Sequence, residues 1–176
     1  MNKYLDFEND IENIENLIAD LDISKNNFQS KKAELLDRKK KILQKIYSNL
    51  SAWEKVQVAR HPNRPHAEDY LNLIFENIIY LHGDKKFSDD SAVLGCLGEI
   101  SGQSVMVIGT EKGNSMESRI KHNFGMAKPE GYRKAQRFVA LAEKFNLPVI
   151  SFVDTAGAFP GKDAEERGQS ESIASS

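Results

Sequence analysis

The fold is decided by the stretch Pro148-Val149-Ile150-Ser151-Phe152-Val153-Asp154, which is followed by Thr155-Ala156-Gly157-Ala158-Phe159-Pro160-Gly161. A short apolar run with β-branched and aromatic residues predicts a buried strand at 148–154. The next seven residues contain two glycines and a proline, so the chain leaves the sheet in a tight, irregular turn. The acidic segment 163–169 then predicts the start of a helix, because carboxylates are favoured near the positive end of a helix dipole.

A strand, a glycine-containing loop and a helix start together present backbone N–H groups to an anionic or carbonyl oxygen. Glycine permits the close approach and the positive φ that residues with a Cβ resist. The same spacing also fits an ordinary connection between a strand and a helix. The spacing alone leaves both interpretations open.

The composition predicts one ordinary domain with an appendage. The 176 residues are 40% hydrophobic and 28% charged, with a net charge of -2, so there is no basic excess that would indicate general nucleic-acid binding. The single cysteine, Cys96, lies in an apolar run and is predicted to be a small buried hydrophobe rather than a nucleophile. Because there is no long apolar segment and no secretory signal pattern, we expect no membrane contact and a cytoplasmic location.

Residues 1–50 are predicted to form an antiparallel helical hairpin. Apolar residues recur at helical spacing in 3–22 and again in 30–50, with Asn26-Asn27 as an interruption. The first segment is rich in acids and the second in lysine and arginine, which favours packing of one helix against the other. A nucleic-acid or membrane patch on the basic run is the alternative, although charge runs on helices are more often solvated faces or partner contacts.

Residues 51–82 are predicted to be linking helices. Ser51 and Glu54 form a capping-box pattern at the start of the first, which ends near the proline- and arginine-containing segment 60–65. That segment fits a stiff cationic linker or a contact to a ligand phosphate. A further helix is predicted at 66–80, with an apolar face of Tyr70, Leu71, Ile74, Phe75, Ile78 and Ile79.

From residue 83 onward, the pattern changes to that of an α/β core. A polar loop at 83–90 precedes two apolar strands, 92–100 and 104–109, joined by a hairpin turn at 101–103. The segment 110–126 has the composition of a long polar loop whose cations fit either the phosphates of a nucleotide-like ligand or a flexible lid. A helix with Pro129 in its first turn then runs to about residue 145, with a predicted buried face of Phe138, Leu141, Ala142 and Phe145.

Several common site patterns are missing from the sequence. The four histidines show no metal-ligand spacing, and there is no Gly-x-Ser-x-Gly elbow for a hydrolytic serine. The glycines match neither a dinucleotide-binding nor a P-loop fingerprint.

Four ordered stretches resemble the carboxyltransferase alpha-subunit family of bacterial acetyl-CoA carboxylase, which belongs to the crotonase-like superfamily. The resemblance covers nearly the whole chain. The stretches are Arg60 to Pro65, Gly83 to Asp90, Asn123 to Ala135, and Asp154 to Gly161 together with Ala164 to Ser170.

The resemblance implies an α/β fold, an incomplete crotonase-like (ClpP/crotonase superfamily) core preceded by the helical hairpin. Residues 83–176 would then be the first part of the carboxyltransferase domain, truncated at Ser176. In the family, a second glycine-rich helix start supplies the biotin-side oxyanion hole. That half is expected to be missing here.

The resemblance also implies a function. In the family, the alpha subunit pairs with a beta subunit as α2β2 and works in an ATP-dependent complex with biotin carboxylase and a biotin carboxyl carrier protein. The carboxyl group of carboxybiotin passes to acetyl-CoA, and malonyl-CoA is formed for fatty-acid synthesis. A zinc-binding motif belongs to the beta subunit, so we expect no metal in this chain.

For the site, the resemblance implies that backbone N–H groups stabilise developing oxyanions, and the matching positions are Gly157 and Ala158. Candidate ligand- or partner-binding residues are Lys112, Gly113, Arg119, Lys121, Asn123, Gly125 and Arg133. Two other hypotheses remain. One is a truncated, non-catalytic interaction or remnant protein of the same family, and the other is a different crotonase-type CoA enzyme such as a hydratase.

Overall fold

The computed structural model describes residues 4–23 and 27–176. The chain divides into two compact units, Met1–Arg64 and Pro65–Ser176. No helix in the described part of the chain is long and apolar enough to cross a bilayer.

The first unit contains the predicted helical hairpin. A 3₁₀ turn at Asp6–Glu8 leads into α1 (Asn9–Ala19), and α2 spans Phe28–Tyr47. Glu8 accepts a hydrogen bond from the Tyr47 hydroxyl, and Glu15 pairs with Lys39. The later residue of the first segment therefore contacts the earlier residue of α2. That order means the two helices are antiparallel, as predicted. The predicted interruption at Asn26-Asn27 lies partly outside the described residues.

The helix α3 (Ala52–Ala59) begins with the predicted capping box. The Ser51 N–H donates to Glu54 Oε2 at 2.7 Å, and the Glu54 N–H donates to Ser51 Oγ at 3.2 Å. The two residues thus satisfy each other's backbone donors, which have no partner inside the helix. The helix ends at the predicted place, immediately before Arg60.

The second unit is built on a four-stranded sheet in the order β1-β2-β3-β4. The strands are β1 (Glu76–Tyr80), β2 (Val93–Ile100), β3 (Gln103–Thr110) and β4 (Val149–Phe152). The strand predicted at 148–154 is therefore shorter than expected, and its predicted burial is wrong, because β4 is an edge strand whose residues are exposed or half-buried. The first three strands are antiparallel neighbours, whereas β4 is parallel to β3. The predicted hairpin turn is confirmed, and Ser101 and Gly102 both have positive φ, 50° and 78°, as a two-residue turn of type I′ requires.

The single helix predicted at 66–80 is wrong in its second half. The helix α4 (Ala67–Ile74) stops at Phe75, which is extended, and β1 follows at once. In β1, Ile79 lies opposite Leu97 and Tyr80 lies opposite Cys96 of β2. The apolar spacing at 70–79 fits a helix, but backbone pairing with β2 outweighs that local preference.

Each face of the sheet is covered by one helix. Val105 and Val107 of β3 face α4, where Leu71 and Phe75 complete a cluster with Cys96. Met106 points the other way, towards α6 (Pro129–Phe145), because side chains alternate along a strand. Phe138 and Ala142 of α6 are buried as predicted, but Phe145 is 61% exposed, so its predicted burial is wrong.

Cys96 has no exposed surface, in agreement with its predicted role as a buried hydrophobe. Burial raises the pKa of its thiol to about 11. A thiol in that state is a poor nucleophile at neutral pH.

Short helices lie on both sides of α6, and those before it occupy a segment that was predicted to be a loop. Residues 110–126 include α5 (Met116–Lys121) and a 3₁₀ turn at Asn123–Gly125, so a continuous polar loop is the wrong description. The predicted helix after the glycine-containing loop does begin, as α7 (Lys162–Glu166). It is interrupted at Gly168, whose φ is 82°, and the chain resumes as α8 (Gln169–Ala174).

Gly95 in β2 should not tolerate a side chain. A Cβ at this position would lie 1.8 Å from Cε2 of Phe138, whose side chain is completely buried. We expect Gly95→Ala to lower the free energy of unfolding by about 2 kcal/mol or more, because over-packing displaces the ring. A lowered urea midpoint with an unchanged slope would show this.

The matched control is Gly98→Ala in the same strand. There, the new Cβ would lie 3.3 Å from the Phe75 Cβ, close to ordinary contact. The packing argument fails if the two variants unfold at the same urea concentration.

Candidate functional site

The candidate site begins at the carboxyl ends of β3 and β4. These parallel strands place the segment after Thr110 beside the segment after Phe152. The Asp154 N–H donates to Thr110 Oγ1 at 2.6 Å, which joins the two segments directly. In α/β sheets, ligands bind outside the carboxyl ends of parallel strands.

An ion pair makes a second connection between the two segments. Lys112 Nζ lies 2.7 Å from one carboxylate oxygen of Asp154 and 3.0 Å from the other. Both side chains are partly exposed. Lys112, a predicted ligand-binding residue, is therefore at the site, with its charge balanced by Asp154.

Thr155 organises the turn that follows. Its hydroxyl donates to the Gly125 carbonyl oxygen at 2.6 Å and accepts the Gly157 N–H at 3.1 Å. Gly157 is exposed and has a φ of 147°, and a Cβ there would have no atom within 4 Å. Glycine is therefore required at this position by the backbone conformation rather than by packing.

Ala158 differs from Gly157 in what its amide does. Ala158 forms a parallel bridge with Ala127, and the bond that makes the bridge runs from the Phe159 N–H to the Ala127 carbonyl oxygen at 3.0 Å. Among the described residues, none accepts the Ala158 N–H. The two predicted oxyanion donors are thus adjacent, but the Gly157 N–H is held by Thr155 and the Ala158 N–H is available.

The turn before α6 approaches the same loop in a strained conformation. Asn123, Phe124 and Gly125 have positive φ of 48°, 55° and 78°. A bulky residue such as Phe124 rarely adopts this region, which costs on the order of 1 kcal/mol or more. The Asn123 side-chain amide donates to Asp90 Oδ1 at 3.1 Å, which helps to hold the turn. Two predicted residues, Asn123 and Gly125, are therefore brought to the site as parts of one turn.

Gly113 and Arg119 lie in one local structure around α5. The Gly113 N–H donates to Glu111 Oε1 at 2.8 Å, and Arg119 Nε donates to the Gly113 carbonyl oxygen at 3.4 Å. Glu111 is buried and also contacts His66 Nδ1 at 3.0 Å. Lys121, at the end of α5, is exposed. The ligand-binding roles of these residues stay predictions.

Arg133 makes its contacts inside the protein. Its guanidinium donates to Asp84 Oδ2 at 2.9 Å, to the Arg167 carbonyl oxygen at 3.1 Å and to Ser172 Oγ at 3.2 Å. These bonds tie α6 to the 83–90 loop and to α8. The arrangement gives Arg133 an evident structural role, while a ligand contact stays a prediction.

Asp84 and Asp90 lie in a segment that the sequence predicts only as a polar loop, yet the carboxylate of each accepts several backbone N–H groups. Asp84 Oδ1 accepts the backbone N–H groups of Lys86, Phe87 and Ser88. Burial by itself would raise the pKa of Asp84, but these N–H donors and Arg133 outweigh it and lower the pKa to about 2. The only available signal was the density of aspartates in 83–90.

Asp90 connects three elements. Its carboxylate accepts the Ala92 N–H at 2.9 Å and the Lys128 N–H at 2.7 Å, in addition to Asn123. Burial raises the pKa of Asp90, and the hydrogen bonds from Ala92 and Lys128 offset only part of that effect.

Gln169 of α8 holds the end of the 155–158 loop through hydrogen bonds from its side chain. Its Nε2 donates to the Ala127 carbonyl oxygen at 2.9 Å and to the Phe159 carbonyl oxygen at 3.2 Å, and the residue is buried. No group of three or more histidine, cysteine, aspartate or glutamate residues in 4–23 and 27–176 is arranged to hold a metal ion.

Comparisons with known proteins agree with one another. A family model described as acetyl co-enzyme A carboxylase carboxyltransferase-like matches residues 4–176. The acetyl-coenzyme A carboxylase carboxyl transferase subunit alpha of Caulobacter vibrioides is 51% identical over 98% of this chain and 56% of its own length. That of Zymomonas mobilis is 51% identical over 100% of this chain and 57% of its own length. This chain thus spans a little over half the length of these relatives.

Solved structures show the same fold. A single-chain, multi-domain long-chain acyl-CoA carboxylase is similar with a TM-score of 0.51 and 25% identity, over 67% of this chain and 12% of that one. Transcarboxylase 12S is similar with a TM-score of 0.52 and 20% identity, over 65% of this chain and 20% of that one. The expected crotonase-like α/β class is confirmed by this likeness.

Asp84 should make stability depend on pH in the acid range. Its pKa in the folded protein, about 2, lies below the ordinary value of 3.8, so its charged form stabilises the fold above pH 4. That contribution is lost as the pH falls from about 4 through 2. We expect Asp84→Asn to lower the free energy of unfolding by about 2 kcal/mol at pH 7 and by much less near pH 2.

Urea unfolding at several pH values measures this difference, with Asp37→Asn as the control. Asp37 pairs with Lys41 on the exposed surface of α2. A pH-independent gap between Asp84→Asn and the unsubstituted protein would contradict the assignment.

Proposed function

Because the chain belongs to the acetyl-CoA carboxylase carboxyltransferase family, we propose that it forms part of an alpha subunit that transfers a carboxyl group from carboxybiotin to acetyl-CoA. The observation that carries this proposal is the family match over residues 4–176. The product would be malonyl-CoA, used for fatty-acid synthesis.

The proposal includes the partners and the location. A beta subunit that carries the zinc site would complete an α2β2 carboxyltransferase in the cytoplasm. Biotin carboxylase and a biotin carboxyl carrier protein would complete the carboxylase. The names of the alpha-subunit relatives support such a complex.

The geometry of the 155–158 loop supports a role for backbone amides. Carboxybiotin, when bound, supplies the carboxyl group. During transfer, negative charge develops on an oxygen, and a preorganised N–H donor stabilises it without reorganising at that moment. The half-buried Ala158 N–H has no acceptor among the described residues, and the space beside the Gly157 Cα is open. An oxygen on the carboxybiotin side therefore fits at Ala158.

The neighbouring residues keep that amide in place. Thr155 binds both Gly125 and Gly157, while the Phe159 N–H and Gln169 both bond to the Ala127 carbonyl oxygen. The loop is held on both sides of Ala158. Arg119 and Lys121 are the cations that we propose for contacts with an anionic ligand group or a partner, whereas Lys112 positions the loop through Asp154.

The 176-residue chain, assayed alone, should have no transferase activity. In the family, the site lies between the alpha and beta subunits, so one chain cannot complete it. The measurement is biotin-dependent decarboxylation of malonyl-CoA by the purified chain. Activity without a beta subunit would contradict this reading of the site.

The forward reaction, assayed with a beta subunit, separates the two leading hypotheses. Malonyl-CoA formation from carboxybiotin and acetyl-CoA by the longer alpha polypeptide with its beta subunit supports the enzyme. If this chain with a beta subunit is already active, the non-catalytic interaction protein is excluded. Tight CoA binding without any dependence on biotin would instead favour a hydratase-like enzyme.

Ala158→Pro tests the backbone amide directly in the assembled enzyme. Proline has no N–H, and the bridge to Ala127 uses the Phe159 N–H rather than that of residue 158. We expect turnover to fall by about 100-fold, the usual consequence of removing one oxyanion donor. The KM for acetyl-CoA should change little.

Ala158→Ser, which keeps the amide, is the matched control and should retain most of the activity. Equal activity of the proline and serine variants would show that this N–H is not used. Circular dichroism and subunit assembly of both variants check that the fold is intact.

A further inference from the structure

A cavity with a mixed polar and apolar lining lies apart from the 155–158 loop. Its volume is about 310 Å³, at the small end of the range for ligand sites. It is formed where β1 ends, β2 begins and α5 meets α6. We call it the His122 cavity; its polar lining includes Glu68, Tyr80, His82, Lys121, His122 and Lys134.

His122 presents a defined tautomer to this cavity. Its Nδ1 lies 2.5 Å from the Ser91 carbonyl oxygen, and a carbonyl oxygen only accepts, so Nδ1 carries the proton. In the neutral imidazole, Nε2 is then a hydrogen-bond acceptor. His122 is only 7% exposed, and it lines the cavity.

The His122 Nε2 atom has an unused lone pair. None of the described residues bonds to it. The one fully enclosed side-chain polar atom without a partner in the described chain is Gln169 Oε1, so Nε2 is accessible. For a side chain so deeply buried, the accessible space is the cavity.

Lys134 presents a donor to the same cavity. Its ammonium has three N–H groups, and the Lys134 side chain is only 2% exposed. One N–H is directed at Asp89 Oδ1, 2.6 Å away, and another at the Asp90 carbonyl oxygen, 3.3 Å away. The third has no acceptor among the described residues. A buried donor without a partner is costly, so a bound ligand oxygen would stabilise it.

The outer part of the cavity adds further donors. Lys121 is exposed, and the described part of the chain gives its ammonium no ion pair, while its carbonyl oxygen is fixed by Ser91 Oγ at 2.6 Å. Tyr80 supplies a hydroxyl, and burial followed by the charge of Glu68 raises its pKa, which keeps it protonated. The Tyr80 hydroxyl and the Lys121 ammonium both offer hydrogen-bond donors to a ligand.

The charges indicate a ligand selected by hydrogen-bond pattern. Lys134 is balanced by Asp89, whose carboxylate already accepts the Gly83 N–H and contacts His82. Lys121 is opposed by Glu68 in the same lining. Because the net charge of the lining is close to zero, affinity depends on matching several donors and one buried acceptor.

We propose that the His122 cavity binds a small oxyanion that carries one hydroxyl group, such as hydrogen phosphate or bicarbonate. The ligand hydroxyl donates to His122 Nε2, and its other oxygens accept from Lys134, Lys121 and Tyr80. Sulfate has no proton to donate, so one of its oxygens would face the Nε2 lone pair without a hydrogen bond, which disfavours sulfate binding. This site shares Lys121 with the contacts proposed above for an anionic ligand group or a partner, but it is tested by binding alone, without turnover.

Isothermal titration calorimetry at pH 8 and constant ionic strength tests the site with three probes. Hydrogen phosphate and sulfate have the same charge and similar shape and differ in one proton. We expect hydrogen phosphate or bicarbonate to bind at least about 10-fold more tightly than sulfate, and the tighter of the two identifies the ligand class. Equal binding of sulfate, or no binding of any probe, overturns the proposal.

Two variants assign the preference to His122. Asparagine at 122 can keep the bond to the Ser91 carbonyl oxygen through its amide, but it offers nothing at the Nε2 position. His122→Asn should therefore reduce the affinity for hydrogen phosphate to that for sulfate. His122→Gln, which places an amide oxygen near Nε2, should keep part of the preference. Full preference in His122→Asn contradicts the proposal.

Two further variants serve as controls. One separates the effect of the Lys121 charge from that of the hydrogen-bond acceptor, and the other replaces a histidine outside the cavity. Lys121→Gln should weaken phosphate and sulfate binding by the same factor, because it removes charge without touching the acceptor. His61→Asn alters a histidine outside the cavity and should change neither affinity. If Lys121→Gln removes the preference for hydrogen phosphate, then the acceptor is not His122.

Discussion

The buried carboxylate of Asp90 is the contact on which the second unit depends. It accepts backbone N–H groups from Ala92, just before β2, and from Lys128, just before α6, and it also binds the Asn123 side chain. Lys134 approaches the Asp90 carbonyl oxygen from α6. A buried charge is tolerated only when it is fully hydrogen-bonded, so these partners are mutually dependent. One carboxylate thereby sets where the central strand begins, where the long helix begins and how the strained turn between them is held.

The elements with strong local signals were predictable from the sequence. The capping box at Ser51 and the Ser101-Gly102 turn each follow from chemistry within a few residues, and the hairpin follows from opposite charge on two amphipathic segments. A strand at 148–154 was recognisable from its apolar run, but the observed β4 is shorter and lies at the edge of the sheet, so its residues are exposed or half-buried. The segment 66–80 was misassigned because Ile78 and Ile79 continue a helical spacing, and only the pairing of β1 with β2 turns them into a strand. Phe145 keeps the helical spacing of a core residue, but it lines an open groove beside Leu97 and Ser104 of the sheet and stays exposed.

The candidate site was predictable as a loop but not in its internal roles. The resemblance pointed to both Gly157 and Ala158, and only the contact with Thr155 distinguishes them. Asp84 and Arg133 lie 49 residues apart, and neither has a local pattern that indicates the other. The same holds for His122, whose tautomer is set by a carbonyl oxygen 31 residues earlier in the chain. Such pairings arise from tertiary structure, and a single sequence contains no periodicity that would reveal them.

The N–H groups of Gly157 and Ala158 differ in their hydrogen bonding because two different constraints act on one short loop. With φ at 147°, Gly157 turns the chain in a way that a residue with a Cβ resists, and its N–H is used to hold Thr155. That turn leaves the next N–H, at Ala158, without an acceptor among the described residues, while the hydrogen bond from the Phe159 N–H to the Ala127 carbonyl oxygen fixes its position. A donor that is both fixed and unsatisfied needs no rearrangement to meet a developing negative charge. Under the proposed function, Gly157 would contribute through the conformation that it permits, and the amide that we propose for the ligand belongs to Ala158.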